Sequence, residues 1–86
     1  MKIGRSARFE KAWRELNEHE RALGRKAIAH MATDLRYPAL NVKKIKGAEG
    51  IWEARASLSL RITFQIVGDT IILRNIGRHD ETLDRP

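Results

Sequence analysis

Three features of the sequence predict an α+β fold, with an N-terminal helical hairpin packed on one face of an antiparallel sheet. Apolar residues recur at helical spacing in the first half, and polar and apolar residues alternate with a period of two in the second. A stretch of breakers and lysines separates the halves. At 86 residues there is room for one core, so the chain reads as a single domain over 1–86.

Phe9, Ala12, Trp13 and Leu16 fall at i, i+3, i+4 and i+7, the stripe of an amphipathic helix whose start Ser6 can cap. Leu23, Ala27, Ile28, Met31 and Leu35 repeat the pattern after Asn17. That second helix ends before Tyr37-Pro38, because the residue before a proline is disfavoured in helical conformation. The hairpin covers about 6–36. Gly24 within it costs about 1 kcal/mol against alanine, which points to a late helix start or to close packing.

Residues 37–50 hold Pro38, Gly47 and Gly50, with Lys43, Lys44 and Lys46 around Val42 and Ile45, and read as a basic loop. In the next segments Trp52, Ala54 and Ala56 alternate with Glu53 and Arg55, and Ile62, Phe64 and Ile66 alternate with Arg61, Thr63 and Gln65. Ile71-Ile72-Leu73 then runs on to Ile76. The sheet therefore has three strands, with room for a fourth, over about 51–77, and a tail follows at 78–86.

Gly68-Asp69 is a two-residue hairpin signal that pairs Val67 with Thr70, Ile66 with Ile71, Phe64 with Leu73 and Thr63 with Arg74. A three-residue loop at Ser57-Leu58-Ser59 pairs Arg55 with Arg61 and Trp52 with Phe64. A two-residue loop would set Arg55 opposite Ile62, at the high cost of an unpaired buried arginine. Away from the helices the sheet then presents Glu53, Arg55, Arg61, Thr63, Gln65 and Arg74. Ile72 and Ile76 complete an open face that is both apolar and cationic, a combination suited to binding.

The absence of cysteine excludes disulfide frameworks, thiolate zinc sites and thiol nucleophiles, and fits a cytoplasmic protein. No apolar run approaches the roughly 20 residues of a spanning helix, and none follows Lys2 and Arg5 as in a signal peptide, so no membrane association is expected. The net charge of +6 calls for anionic partners. It is uneven: residues 1–46 hold 12 Lys and Arg against 5 Asp and Glu, hence +7, and residues 47–86 hold 5 against 6, hence −1.

Arg55, Arg61 and Arg74 on adjacent strands could clamp phosphates through planar, multidentate hydrogen bonds and stabilise charge developing at phosphorus. The plainer alternative is a solvated sheet face with Glu53 as internal partner. Lys43, Lys44 and Lys46 suit contacts to a nucleic-acid backbone. His79 follows the last strand, where an imidazole could reach the arginine face and move protons. His79-Asp80 alone lacks the spaced ligands of a metal site, and no metal or other cofactor is expected. His19, His30, Trp13 and Trp52 read as exposed or structural.

The order of these strings matters more than any one of them. A helical hairpin is followed by Leu40-Asn41-Val42-Lys43-Lys44-Ile45-Lys46-Gly47, then Gly50-Ile51-Trp52-Glu53-Ala54-Arg55-Ala56. Leu60-Arg61-Ile62-Thr63-Phe64-Gln65-Ile66 comes next, and Ile76-Gly77-Arg78-His79-Asp80-Glu81 closes the series. Over nearly the whole chain this resembles the RelE/ParE superfamily of bacterial type II toxins. The resemblance implies a toxin neutralised by a cognate antitoxin. Its target would be either mRNA on the ribosome, cut without a metal, or DNA gyrase, which the other branch poisons; a non-toxic basic RNA- or protein-binding module is the remaining alternative.

In the nuclease branch the resemblance implies that Arg61 acts on the scissile phosphate, that Arg55 assists from the end of the preceding strand, and that His79 carries a proton. Lys43, Lys44 and Lys46, with Arg78, would contact RNA or the ribosome, and geometry adds Arg74. The antitoxin is expected to lay an acidic stretch over Arg55, Arg61 and Arg74. The sequence departs from the family pattern at Leu83, where an aromatic residue is common, and at Trp52 and Ala54, where lysines occur.

Overall fold

The computed structural model describes all residues from Met1 to Pro86. Its elements are β1 (Lys2–Arg5), α1 (Ala7–Arg14), α2 (Glu18–Thr33), a 3-10 turn (Pro38–Leu40), β2 (Lys43–Lys44), β3 (Trp52–Arg55), β4 (Leu60–Val67), β5 (Thr70–Arg78) and α3 (His79–Asp84). The sheet has five strands in the order β1-β5-β4-β3-β2, two more than the sequence pattern resolves. Both additions are edge strands. β2 takes two residues from the expected basic loop, while β1 pairs in parallel with the end of the chain, Ile3 opposite Ile71 and Gly4 opposite Ile72.

Capping fixes both helices of the hairpin. The Ser6 hydroxyl accepts a hydrogen bond from the Phe9 amide at 3.1 Å, which starts α1 where the sequence predicts. Asn17 and Glu20 form a reciprocal capping box at the start of α2, with bonds of 2.8 and 3.0 Å. Arg21 reaches back across the turn to donate to the carbonyls of Trp13 and Arg14, satisfying acceptors at the end of α1. The hairpin covers one sheet face and buries Phe9, Ala27 and Met31 against Leu60, Ile62, Phe64, Ile71, Leu73 and Ile76. Gly24 is explained by close packing: a Cβ there would stand 2.6 Å from Trp13 Cζ3.

Strand pairing follows the expected register at both hairpins, with one exception. Arg55 faces Arg61, Trp52 faces Phe64, and Val67, Ile66 and Phe64 face Thr70, Ile71 and Leu73. Thr63, however, pairs with Asn75 rather than Arg74, because a bulge inserts one residue into β5. Main-chain contacts hold the bulge. The Ser6 amide donates to the Leu73 carbonyl at 2.9 Å, and the Ser6 hydroxyl donates to the Arg74 carbonyl at 3.0 Å. The inserted residue reverses the face of everything after it, so Ile76 enters the core instead of standing on the outer face.

The expected open face is also partly covered. The tail read as 78–86 divides into the end of β5, the short helix α3 and a final extended segment, and α3 packs on β4 and β5. Thr82 is buried there beside Gly77, where a Cβ would stand 2.8 Å from its hydroxyl. No helix is long and apolar enough to cross a membrane.

Gly24→Ala should destabilise the chain by about 1–2 kcal/mol, because overpacking against Trp13 exceeds the gain of about 1 kcal/mol in helix propensity. Urea unfolding tests this, and a variant of equal or higher stability would show that Trp13 yields without cost.

Candidate functional site

On the face away from the hairpin, polar side chains form two rows across the strands. Lys43, Glu53, Thr63 and Asn75 make one row, and Arg55, Arg61 and Gly77 the next. The first row is closed by the C-terminal segment. Thr63 Oγ1 and Arg74 Nε both donate to the Pro86 main-chain oxygen at 3.0 Å, and Asn75 Nδ2 donates to the Arg85 carbonyl at 2.9 Å. Arg74 also donates to Gln65 Oε1. Arg74 is thus on the expected face, with its guanidinium already engaged.

The second row holds the two arginines singled out from sequence. Arg61 is only 9% exposed, and its Nη1 donates to the carbonyls of Ser57 at 2.7 Å and Leu58 at 2.9 Å, with a longer bond to Leu60. One edge of the guanidinium is therefore fixed by the turn, while Nε and Nη2 keep their donors unspent. Arg55 lies directly opposite, and its Nε is buried without a hydrogen-bond partner. Burial foremost, then the positive charge of Arg55, lowers the Arg61 pKa, and Glu53 opposes the shift. A guanidinium stays charged even so, and two like charges facing across strands favour an anion between them.

Glu53 has a larger place here than the sequence suggested. It is 3% exposed, its Oε1 pairs with Lys43 Nζ at 3.3 Å, and its Oε2 is buried with no partner. Alternation in β3 puts Glu53 on this face, between Lys43 and Thr63 in the row across the strands, but its burial could not be read locally. Lys43 is accordingly an ion-pair partner of the site. Lys44 lies 5.3 Å from the Trp52 ring centroid on the other side, and Lys46 is exposed in the turn between β2 and β3.

His79 begins α3. Its amide donates to the Ser59 carbonyl at 3.1 Å, and its Nδ1 lies 3.4 Å from Asp80 Oδ1. Ser57 and Leu58 hold Arg61, and Ser59 holds the backbone of His79, so a single turn positions both residues. Arg78, opposite Leu60, stays exposed. Arg55, Arg61 and His79 are thereby gathered around the β3–β4 turn, whereas Lys44 and Lys46 stand apart near the β2 edge. The arrangement brings two guanidinium groups and the start of α3, with its imidazole, to one end of the sheet.

No protein-family model matches the sequence, and no curated protein matches it. Solved structures do match. RelE in the RelB–RelE antitoxin–toxin complex of Methanococcus jannaschii has a TM-score of 0.75 and 25% identity, covering 96% of this chain and 99% of that one. YafQ of Escherichia coli strain BL21(DE3) has a TM-score of 0.79 at 10% identity, covering 93% and 94%. A YoeB/ParE toxin of Agrobacterium tumefaciens has a TM-score of 0.75 at 14%, covering 92% and 99%. The fold and its mixed sheet are those of small RelE-like proteins. The likeness is one of fold, shared with RelE, YafQ and YoeB/ParE toxins.

Replacing Glu53 with Gln should cost about 1–3 kcal/mol, since Lys43 loses its partner and the facing arginines lose their counter-charge. Adding Arg55→Gln should recover part of that loss. Equal effects of Arg55→Gln in the presence and absence of Glu53, measured as a double-mutant cycle by urea unfolding, would show that the two are uncoupled.

Proposed function

We propose that this chain is the toxin of a type II toxin–antitoxin system and a metal-independent, ribosome-dependent mRNA endoribonuclease. The observation that carries this reading is the Arg55–Arg61 pair, with donors unspent and held by the turn that also seats His79. Structural likeness to RelE, YafQ and YoeB/ParE toxins supports it.

In this reading a ribose 2′-hydroxyl gives up its proton to water and attacks the adjacent phosphorus, and the bond to the 5′-oxygen breaks, leaving a 2′,3′-cyclic phosphate and a 5′-hydroxyl. Arg61, fixed on one edge, and Arg55 opposite it take up the charge that grows on the phosphoryl oxygens, without reorganising during the step. His79 carries the proton that the leaving 5′-oxygen needs. Lys44, Lys46 and Arg78 are exposed and suit backbone contacts to mRNA or ribosomal RNA. The cognate antitoxin lays an acidic stretch over the same face, and several of the similar structures are toxins held by an antitoxin.

Primer extension on mRNA from cells expressing the chain should reveal cuts in the ribosomal A site. Arg61→Ala and His79→Ala should each reduce cutting by about 10²–10⁴-fold. Intact transcripts accompanied by trapped gyrase cleavage complexes would instead identify a gyrase poison. Charge reversal by Arg55→Glu with Arg74→Glu should weaken antitoxin binding and flatten its loss with salt; unchanged affinity would remove the acidic-stretch assignment.

A further inference from the structure

Where β3 runs past its short neighbour β2, a cleft of about 390 Å3 opens between α2, the 3-10 turn and the β3–β4 turn. Leu23 and Ala27 of α2, Leu40, and Ala56 with Leu58 give it apolar walls of a size suited to a flat ring. At its rim His30 and Tyr37 stack with ring centroids 3.8 Å apart and planes 5° from parallel, and Tyr37 is 40% exposed. The polar lining is cationic: Lys26 and Arg55 contribute to it, no carboxylate does, and Lys26 has no ion-pair partner. An apolar peptide side chain would use the apolar walls alone, whereas a nucleotide uses the ring surface and the cations together.

The cleft adjoins the arginine pair. Arg55 lines it and faces Arg61 across the strands, and its buried Nε still lacks an acceptor. A buried donor left in that state is unfavourable, and an acceptor brought by a ligand would satisfy it. Ser57 and Leu58, whose carbonyls fix Arg61, also form one wall of the cleft, so the thickness of a turn separates the two.

We propose that this cleft is a nucleobase slot, taking the base of a nucleotide whose phosphate lies at Arg55 and Arg61. The inference rests on the nuclease reading for its role in cleavage, but binding in the slot can be measured without cleavage. Stacking area favours a purine. Lys26, as a donor only, favours guanine, which presents the O6 and N7 acceptors on one edge.

The test is an NMR titration of the purified chain with guanosine 3′-monophosphate and, separately, cytidine 3′-monophosphate. The guanine nucleotide should shift the amides of Lys26, His30 and Tyr37, and bind at least about tenfold more tightly than the cytosine nucleotide, a difference of about 1.4 kcal/mol. Tyr37→Ala should weaken it by about tenfold, as the loss of one stacking partner does. Ala39→Trp, at an exposed position lining the cleft, should fill the slot and abolish the cleft shifts. Shifts confined to Arg55 and Arg61, equal affinity for both nucleotides, or indifference to Tyr37→Ala and Ala39→Trp would each overturn the proposal. If transcripts stay intact while the guanine nucleotide still binds in the cleft, the nuclease reading falls and the slot stands. If wild type and Ala39→Trp cut the same sequences equally, the slot falls and the nuclease reading stands.

Discussion

Two guanidinium groups facing each other across β3 and β4 are the constraint around which the outer face is built. Like charges directly opposite on paired strands are unfavourable, and partial burial removes the water that would screen them. The surroundings compensate in three ways. Carbonyls of the Ser57–Leu60 turn accept from Arg61, Glu53 brings a buried negative charge, and Lys43 ties that carboxylate to the sheet edge. Compensation is incomplete, since an N–H of Arg55 and an oxygen of Glu53 remain unpartnered. The unpartnered N–H of Arg55 calls for an acceptor and the unpartnered oxygen of Glu53 for a donor, so the cluster is unfinished within the chain itself.

The single inserted residue at Arg74 decides what surrounds that pair. Without it Ile76 would stand on the outer face, and the core would lose a side chain that is now 3% exposed. With it, Gly77 lies opposite Arg61 and leaves room for Thr82, so α3 can seat on the sheet with His79 at its start. The bulge is held from the other end of the chain, by Ser6 at the junction of β1 and α1. The hydroxyl that caps the first helix thereby helps to set the geometry of the last strand.

Local patterns made much of this legible in the sequence. The helical stripes, the Gly68-Asp69 hairpin and the pairing of Arg55 with Arg61 all follow from periodicity and turn length, and the structure has them. The missed features are non-local. β1 is four residues including a glycine, and it becomes a strand only by pairing in parallel with residues some seventy positions away. The bulge is held by Ser6, and Thr63 is covered by the C-terminal segment crossing the face. Parity told which face Glu53 and Arg74 would share, but it carried no information about what would cover them.

The central claim is that Arg55 and Arg61 together form an anion site awaiting a phosphodiester. The most direct measurement is the 15Nε–1Hε NMR resonance of each arginine as a non-cleavable RNA dinucleotide, with deoxyribose at the attacking position, is added. The account predicts that Arg55 and Arg61 shift together and saturate at one ligand concentration, while the engaged Arg74 changes little. Shifts confined to the exposed arginines, with Arg55 and Arg61 unmoved at saturation, would contradict it.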